Sequence, residues 1–583
     1  MNAPDLARIA ANRVFDAFRN YNRRFREITR LAARHFDSAA WASASLDAVR
    51  RIDLYGHSLR QVLQDLEHIL SERIADRDEW RRIKAYYKAL IADCDDREFY
   101  QTFFSSVTRR IFDTVGVDPQ VEFLAVDVRP ADRRATTLKT HRYANRGSLY
   151  YLFDELLAGL PFARRLRDAE GTARFISAEV EASLQQGDYK GPARSIEVIP
   201  ELFYRGQRAY LVGRLLGDRW HMPLVLPFKH AAEGMQCDAV ILTLSEVSML
   251  FGFTRSYFHV DLPVVGSAVN YLRELMPEKP VAEIYTVLGR AKQGKTERYR
   301  ALMQHLAESD DLFVHTRGEP GMVMEVFTLP SYNLVFKVIR DRIPPPKTVR
   351  PEQVRSKYEL VFRHDRAGRL VDAQEFRRLT FDAGRFSRKL LDALLVGCSR
   401  NCRIDGSRLL IEHVYIERRL TPLNLYLREA APADAARAAI DYGQAIRDLA
   451  SSNLFAGDLL PKNFGVTRHG RVIFYDYDEV CLITDCRFRD FPRGDDIDEM
   501  RADAWFYVGP DDVFPEQFIR CIGSTELRKV FRQFHGDLLT AAWWAQLRKR
   551  LLSGETINVL PYSLTSRVTP QAGGGHYAAA PPH

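Results

Sequence analysis

The stretch Phe455-Ala456-Gly457-Asp458-Leu459-Leu460-Pro461-Lys462-Asn463-Phe464-Gly465, with Val472-Ile473-Phe474-Tyr475-Asp476-Tyr477-Asp478 after it, decides how this chain is read. Asp458 and Asn463 are separated by four residues in a loop that follows a helical run, Asp434 to Ser451, whose Ile440, Ile446 and Leu449 fall on one side. A hairpin turning at His469-Gly470 leads into the apolar strand Val472 to Tyr475, which ends on Asp476. A carboxylate for a hydroxyl proton, and an amide with a second carboxylate for a divalent cation, are what phosphoryl transfer requires.

Upstream, the chain supplies the remaining parts in order. Thr316-Arg317-Gly318-Glu319-Pro320-Gly321-Met322 is a turn between the strand-like Leu312 to His315 and Val323 to Leu329, and its glycines let backbone amides approach phosphate oxygens. Alone, such a turn is more often just a hairpin. After a second turn at Pro330 to Asn333 comes Leu334-Val335-Phe336-Lys337-Val338-Ile339, which places Lys337 in mid-strand. Lys337 reads either as an edge lysine with its head in water or as the lysine that contacts the α and β phosphates in a kinase small lobe. The D-x-x-x-x-N spacing and the strand-end Asp476 favour the second, with Glu352, Glu359 and Glu375 as candidate acidic partners for Lys337. Three departures from ordinary kinases stand out: no His-Arg precedes Asp458, Asp478 replaces the glycine of Asp-Phe-Gly, and no Ala-Pro-Glu follows. The additional acid Asp478 could help activate water, turning the site toward hydrolysis.

A rival lies at Gly289-Arg-Ala-Lys-Gln-Gly294-Lys295-Thr296, a full Walker A pattern after the strand-like Ile284 to Leu288 and before a helix. A P-loop ATPase would use Lys295 on the phosphates and Asp476 as its second acid. Such enzymes need repeated βαβ units, whereas the intervening chain carries hairpins and Pro344-Pro345-Pro346. A nucleotide-binding pseudokinase module is the other alternative.

Composition bounds the rest. With 583 residues the chain needs several cores. The net charge of +8 is the difference between 84 basic and 76 acidic residues that alternate along helices. No basic block suited to nucleic acid is present; Arg19 to Arg30 is amphipathic, with Phe25 and Ile28 on its other face. Seven cysteines without repeating spacing argue for a reducing compartment, and neither Cys398/Cys402 nor Cys481/Cys486 has zinc-knuckle spacing. Apolar stretches such as Met222 to Phe228 are too short to span a bilayer, so a cytoplasmic protein with no membrane partner is expected. Leu6 to Val115 reads as a helical bundle, and Ile196 to Leu262 as β-rich, with runs at Ala209 to Leu215 and Val240 to Leu244. A final helical region ends near Leu552, and the Gly- and Ala-rich 568–583 reads as a disordered tail.

The run from Phe455 through Asn463-Phe464-Gly465-Val466-Thr467-Arg468-His469-Gly470 to Asp476-Tyr477-Asp478-Glu479 closely resembles the isocitrate dehydrogenase kinase/phosphatase family. The likeness extends to Met322 to Val338 and to the segment from Gln293, and excludes only the tail. It implies a bifunctional bacterial enzyme that phosphorylates a serine of isocitrate dehydrogenase and removes that phosphate, directing carbon between the citric acid cycle and the glyoxylate bypass. The implied fold is α+β: a mostly helical N-terminal regulatory domain with a β-rich insertion over 1–305, then a bilobal protein-kinase-like domain over 306–567. The small lobe would take 306–417 and the large lobe 418–567. By position, Thr316, Arg317, Gly318, Glu319, Pro320, Gly321, Met322 and Lys337 match ATP-binding segments, and Asp372 matches an active-site aspartate. Asp458, Lys462 and Asp478 match catalytic positions, and Asn463 and Asp476 match metal-binding ones, with Leu460-Pro461 standing where Leu-Phe is expected. ATP or ADP, Mg²⁺ or Mn²⁺, and AMP as effector are the implied cofactors; isocitrate dehydrogenase is the implied partner, with a homodimer left open.

Overall fold

The computed structural model describes residues 3–124, 138–252, 257–345, 347, 349–364, 368–491, 506–562, 568–570 and 577–579. They divide into two compact units, one from Met1–Gly252, Tyr257–Ala307 and the segment from Pro561, the other from Glu308–Leu560.

The first unit begins with α1 (Ala3–Asp37), α2 (Trp41–Leu70), α3 (Arg77–Leu90) and α4 (Arg97–Phe112), the expected bundle. Apolar and aromatic residues at helical spacing meet inside it, with Tyr21 edge-on to Tyr55 at 5.2 Å and Phe18 against Phe103 at 5.4 Å. The chain continues through β1 (His141–Ala144), α5 (Leu149–Ala158), α6 (Ala169–Gln186), β2 (Ser195–Val198), β3 (Phe203–Arg205), β4 (Arg208–Leu216), β5 (His221–Ala231) and β6 (Gly234–Cys237). These strands form an antiparallel sheet of order β1-β2-β4-β5-β6, with β3 also on β4. Val240 to Leu244 is not the strand the sequence suggests. Ile241 makes only a bridge to Val225, and Thr243 caps α7 (Leu244–Leu250) by accepting from the Glu246 amide.

The Walker pattern does not build a P-loop. Its expected strand is α9 (Val281–Val287), which follows α8 (Val265–Leu275), and Lys292 to Thr296 lie inside α10 (Ala291–Glu308). The amides that would face phosphates are engaged within the chain: Gly289 N–H donates to Thr286 O at 2.9 Å and Gly294 N–H to Arg290 O at 3.0 Å. Gly294 serves helix packing, since a Cβ there would lie 2.2 Å from Thr286 Oγ1 and 2.6 Å from Ala282 O.

The second unit opens with β7 (Val314–His315), β8 (Met324–Leu329), β9 (Tyr332–Ile339), α11 (Pro351–His364), β10 (Gln374–Asp382), α12 (Arg388–Gly397), β11 (Cys402–Asp405) and β12 (Arg408–Arg418). Its sheet is antiparallel, ordered β10-β12-β9-β8-β7, with β11 on β12. Then come β13 (Thr421–Pro422), α13 (Leu423–Glu429), α14 (Pro432–Ser451), β14 (Leu454–Phe455), β15 (Phe464–Val466), β16 (Val472–Phe474), β17 (Cys481–Leu482), β18 (Arg487–Phe488), β19 (Asp512–Val513), α15 (Thr525–His535) and α16 (Ala541–Leu552). Here β13, β15 and β16 form one small sheet, and β14 pairs with β17. Within the tail expected to lack order, Val568–Pro570 pairs with Tyr577–Ala579, and the remainder of 568–583 lies outside the described residues. All seven cysteines are free thiols, and no helix among the described residues is long and apolar enough to cross a membrane.

A buried guanidinium holds β16 in place. Arg369 donates from Nε to Asp448 at 2.7 Å, to both oxygens of Asp441 at 2.7 and 2.8 Å, and to Val472 O at 3.0 Å. Its own carbonyl accepts from Phe474 N–H at 2.8 Å. Removing one member of such a group strands the others without a counter-charge. Arg369→Ala is therefore expected to destabilise this unit by about 3–5 kcal/mol. Urea unfolding, together with faster hydrogen exchange in β16 and α14, checks this; unchanged exchange there would refute it.

Candidate active site

A cleft of about 910 Å³ lies wholly within the second unit and brings together the loop Thr316 to Met322, Lys337, Asp458, Lys462, Asn463, Asp476 and Asp478. Among the sequence-predicted residues, Asp372 alone stays outside its lining. Asp372 is buried and accepts from Gln374 Nε2 at 2.9 Å, next to Val371, whose carbonyl accepts from Tyr477 OH at 2.8 Å.

Lys337 is buried on β9. Its Nζ lies 2.6 Å from Glu417 Oε1 and donates to Tyr475 O at 2.7 Å. Strand register explains the partner: Tyr415 of β12 stands opposite Lys337, so Glu417, two residues on, is its same-face diagonal neighbour. This corrects the expected partners. Glu352 and Glu359 are exposed on α11, and Glu375 pairs with Arg377 at 2.5 Å and His413 at 3.2 Å. A helix carrying its acids on the solvent face cannot satisfy a buried strand lysine; the adjacent strand can.

The catalytic-loop candidates are fixed by close chain packing. Gly457, at φ +77°, lies against the neighbouring strand segment, where a Cβ would be 2.4 Å from Glu479 O. Asp458 Oδ1 accepts from Leu460 N–H at 3.1 Å, while Asn463 Nδ2 donates to Asp458 O at 3.1 Å. Pro461 opens a short 3₁₀ turn over Pro461–Asn463, a position at which its fixed φ and missing N–H are harmless, so the departure from Leu-Phe keeps the loop intact. Tyr442 OH donates to Leu459 O and Tyr475 OH to Lys462 O. Lys462 Nζ reaches Glu319 Oε2 of the glycine-containing loop at 3.2 Å.

The sequence did not single out Lys347. It lies 3.5 Å from Asp478 Oδ2 and 2.5 Å from Glu479 Oε1, also lines the cleft, and follows the proline run that limits where the turn after β9 can go. Burial pulls its ammonium down, but Glu479 and Asp478 outweigh that and hold it above the usual lysine range. That proline run was the only available signal.

Asp476 is the most perturbed acid here. Burial first, then the Asp478 carboxylate beside it, push it up to about 7 against the opposing pull of Lys337. Two carboxylates crowded in a low-dielectric site make a natural place for a hard divalent cation, and the Asn463 amide adds a third oxygen. No group of three or more His, Cys, Asp or Glu among the described residues could hold a metal. Asp476, Asp478 and Asn463 are the residues here that could hold a divalent cation, with part of its shell left to phosphate and water.

The linkage has a definite sign. Below about pH 4 Asp476 is protonated in both folded and unfolded chains; as pH rises toward 7 only the unfolded chain ionises, so stability falls and then levels off. In metal-free protein this one carboxyl is thus expected to lower stability as pH rises across that window, and Asp476→Asn to remove that contribution relative to the unmodified chain. Urea midpoints across the window test this; parallel profiles for the two proteins would contradict it.

Comparison with known proteins gives concordant matches. Residues 311–564 match the family model described as isocitrate dehydrogenase kinase/phosphatase (AceK) kinase domain, and residues 11–310 match its regulatory domain. The chain is 45% identical over 567 residues to an isocitrate dehydrogenase kinase/phosphatase of Anaeromyxobacter sp. (strain Fw109-5), covering 97% of this chain and 98% of that one. It is 46% identical over 556 residues to a protein of the same name from Xanthomonas campestris pv. campestris (strain 8004), covering 94% and 96%.

Proposed function

Since the chain belongs to the isocitrate dehydrogenase kinase/phosphatase family, we propose that its cleft phosphorylates a serine of isocitrate dehydrogenase with ATP and hydrolyses that phosphoserine, setting flux between the citric acid cycle and the glyoxylate bypass. The observation that carries the residue assignment is the meeting of Lys337, Asp458, Asn463, Asp476 and Asp478 around one cleft.

In the kinase direction Lys337 and the amides of Thr316 to Met322 orient the ATP phosphates, and Asp458 accepts the proton of the substrate hydroxyl as its oxygen attacks the terminal phosphorus. The bond to the ADP oxygen breaks. Lys462, released from Glu319, balances charge on the moving phosphoryl group. Asn463 and Asp476 would hold Mg²⁺ or Mn²⁺, which supplies neutralisation of phosphate oxygens when bound. In the phosphatase direction Asp458 or Asp478 positions a water and takes its proton as the water oxygen attacks phosphorus, the bond to the serine oxygen breaks, and that oxygen leaves with a proton to give serine and inorganic phosphate. Asp372, matched by resemblance to an active-site aspartate, lies outside the cleft lining, and any part it plays would be through its neighbour Val371, whose carbonyl accepts from Tyr477 OH. The adenine rests on backbone near Glu417, the one residue of 412–417 that lines the cleft. AMP regulation and a cytoplasmic location complete the reading.

Labelled ATP and purified isocitrate dehydrogenase supply the test. Lys337→Ala should lower label transfer by roughly 100-fold or more, whereas Lys295→Ala should retain it. Asp476→Ala should abolish both activities, and Asp478→Ala should reduce label release on adding ADP or AMP more than it reduces transfer. Nucleotide binding without any transfer by the unmodified chain would refute the reading. Equal loss of both activities in Asp478→Ala would remove the hydrolytic role from that residue.

A further inference from the structure

Cys481 lies three residues beyond Asp478, a residue of the cleft, and neither it nor Cys486 plays a part in the chemistry above. Their sulfurs are 3.5 Å apart. Cys481 is partly exposed on β17, and Cys486 is buried after a short 3₁₀ turn, where its thiol also approaches Leu482 O at 3.4 Å. Two reduced thiols so placed need about 1.5 Å of approach to reach disulfide bonding distance.

The segment between them is held at both sides. Ile483 N–H donates to Asn453 O at 3.3 Å, Thr484 N–H to Asn453 Oδ1 at 3.1 Å, and Arg548 Nε to Thr484 O at 3.1 Å. Cys481 pairs with Phe455 and Leu482 with Leu454 in the β14–β17 ribbon. That ribbon runs directly into Gly457 and Asp458 on one strand, and Asp478 lies three residues before Cys481 on the other. Cys481 is thus joined to both acids by short stretches of chain, three residues from Asp478 and through its pairing with Phe455 to Asp458.

We propose that Cys481 and Cys486 form a peroxide-responsive dithiol that closes into an intrachain disulfide and, in closing, slows phosphoryl transfer at the neighbouring cleft. The oxidant is a hydroperoxide. Cys481 thiolate attacks its terminal oxygen, the O–O bond breaks, and with a proton taken up the products are Cys481 sulfenic acid and water or an alcohol. The Cys486 thiol then attacks the sulfenic sulfur, its proton passing to the sulfenic oxygen as the S–S bond forms and the S–O bond breaks, and that oxygen leaves as water. The two thiols lose two electrons and the peroxide gains them. Roles follow placement: the accessible sulfur meets the oxidant and the buried one resolves it. The hydrogen bond between the thiols, opposed by burial and aided by Lys357 of α11, holds Cys481 below the usual thiol range, which favours it as the attacking thiolate.

The full chain, reduced and then treated with hydrogen peroxide, is alkylated with N-ethylmaleimide and mapped by mass spectrometry. The expected result is a peptide containing both cysteines, unalkylated and lighter by two hydrogen atoms, that dithiothreitol restores. In Cys486→Ser, dimedone should instead label Cys481. Transfer activity should fall on the order of tenfold in the oxidised wild type, recover on reduction, and stay unchanged by peroxide in the Cys481→Ser/Cys486→Ser double variant. Full alkylation of both thiols after peroxide would overturn the proposal, as would a cross-linked protein with undiminished activity. Absence of transfer from the reduced protein counts against the kinase assignment alone. The dithiol is then judged by its mass and by slowed hydrogen exchange over 454–463, whose absence overturns it.

Discussion

The ammonium of Lys337 is fixed between the Glu417 carboxylate and the Tyr475 carbonyl, and the cleft is organised around that contact. A buried lysine must find a counter-charge and acceptors or lose its proton. The β9–β12 register supplies the first from within the sheet, and the end of β16 supplies the second. Because the acceptor is the backbone immediately before Asp476, the contact that satisfies the lysine also sets where the strand delivers its acid. Arg369 fixes the other end of the same strand through Asp441, Asp448 and Val472. Strand β16 is thus clamped by two buried cations of opposite placement, and the short loop beyond it inherits their precision.

What was legible in the sequence was legible for local reasons. The spacing of Asp458, Asn463 and Asp476, the hairpin turn at Gly470 and the helix ending at Ser451 are each determined by residues close together in the chain, and they fold as read. The Glu417 partner was not, because a lysine's counter-ion is chosen by strand register, and an acid on β12 is indistinguishable by spacing from one on α11. The Walker pattern misleads for a related reason. Its glycines satisfy the motif, but Gly294 meets the demand of two closely packed helices rather than of a phosphate. Lys347 was hidden because a lysine after prolines carries no periodic signal, although the turn sends it to Asp478.

The first unit is legible to the level of its helices and less so at the sheet margin. Val240 to Leu244 has strand-like composition, yet a single bridge at Ile241 exhausts its pairing before the Thr243 cap begins a helix. Capping chemistry decides that boundary over β propensity, since a side-chain acceptor placed on a free helix amide is a specific gain and strand propensity only a general one.

The two lysines that face Asp476 and Asp478 do not neutralise the pair fully. Asp476 remains raised because burial and its neighbour together exceed the pull of Lys337. In the proposed reading a divalent cation held there would offset the repulsion between the two carboxylates. In the proposed chemistry that relief is common to both directions, since ATP and phosphoserine each bring phosphate oxygens to the same place. The directions differ in what Asp458 and Asp478 are left to orient, a serine hydroxyl or a water. An ordinary kinase, with glycine where Asp478 stands, lacks the second of those acids. In the proposed chemistry that extra carboxylate would serve the second reaction, and Lys347, 3.5 Å from Asp478, is a cation that offsets two acids so close together.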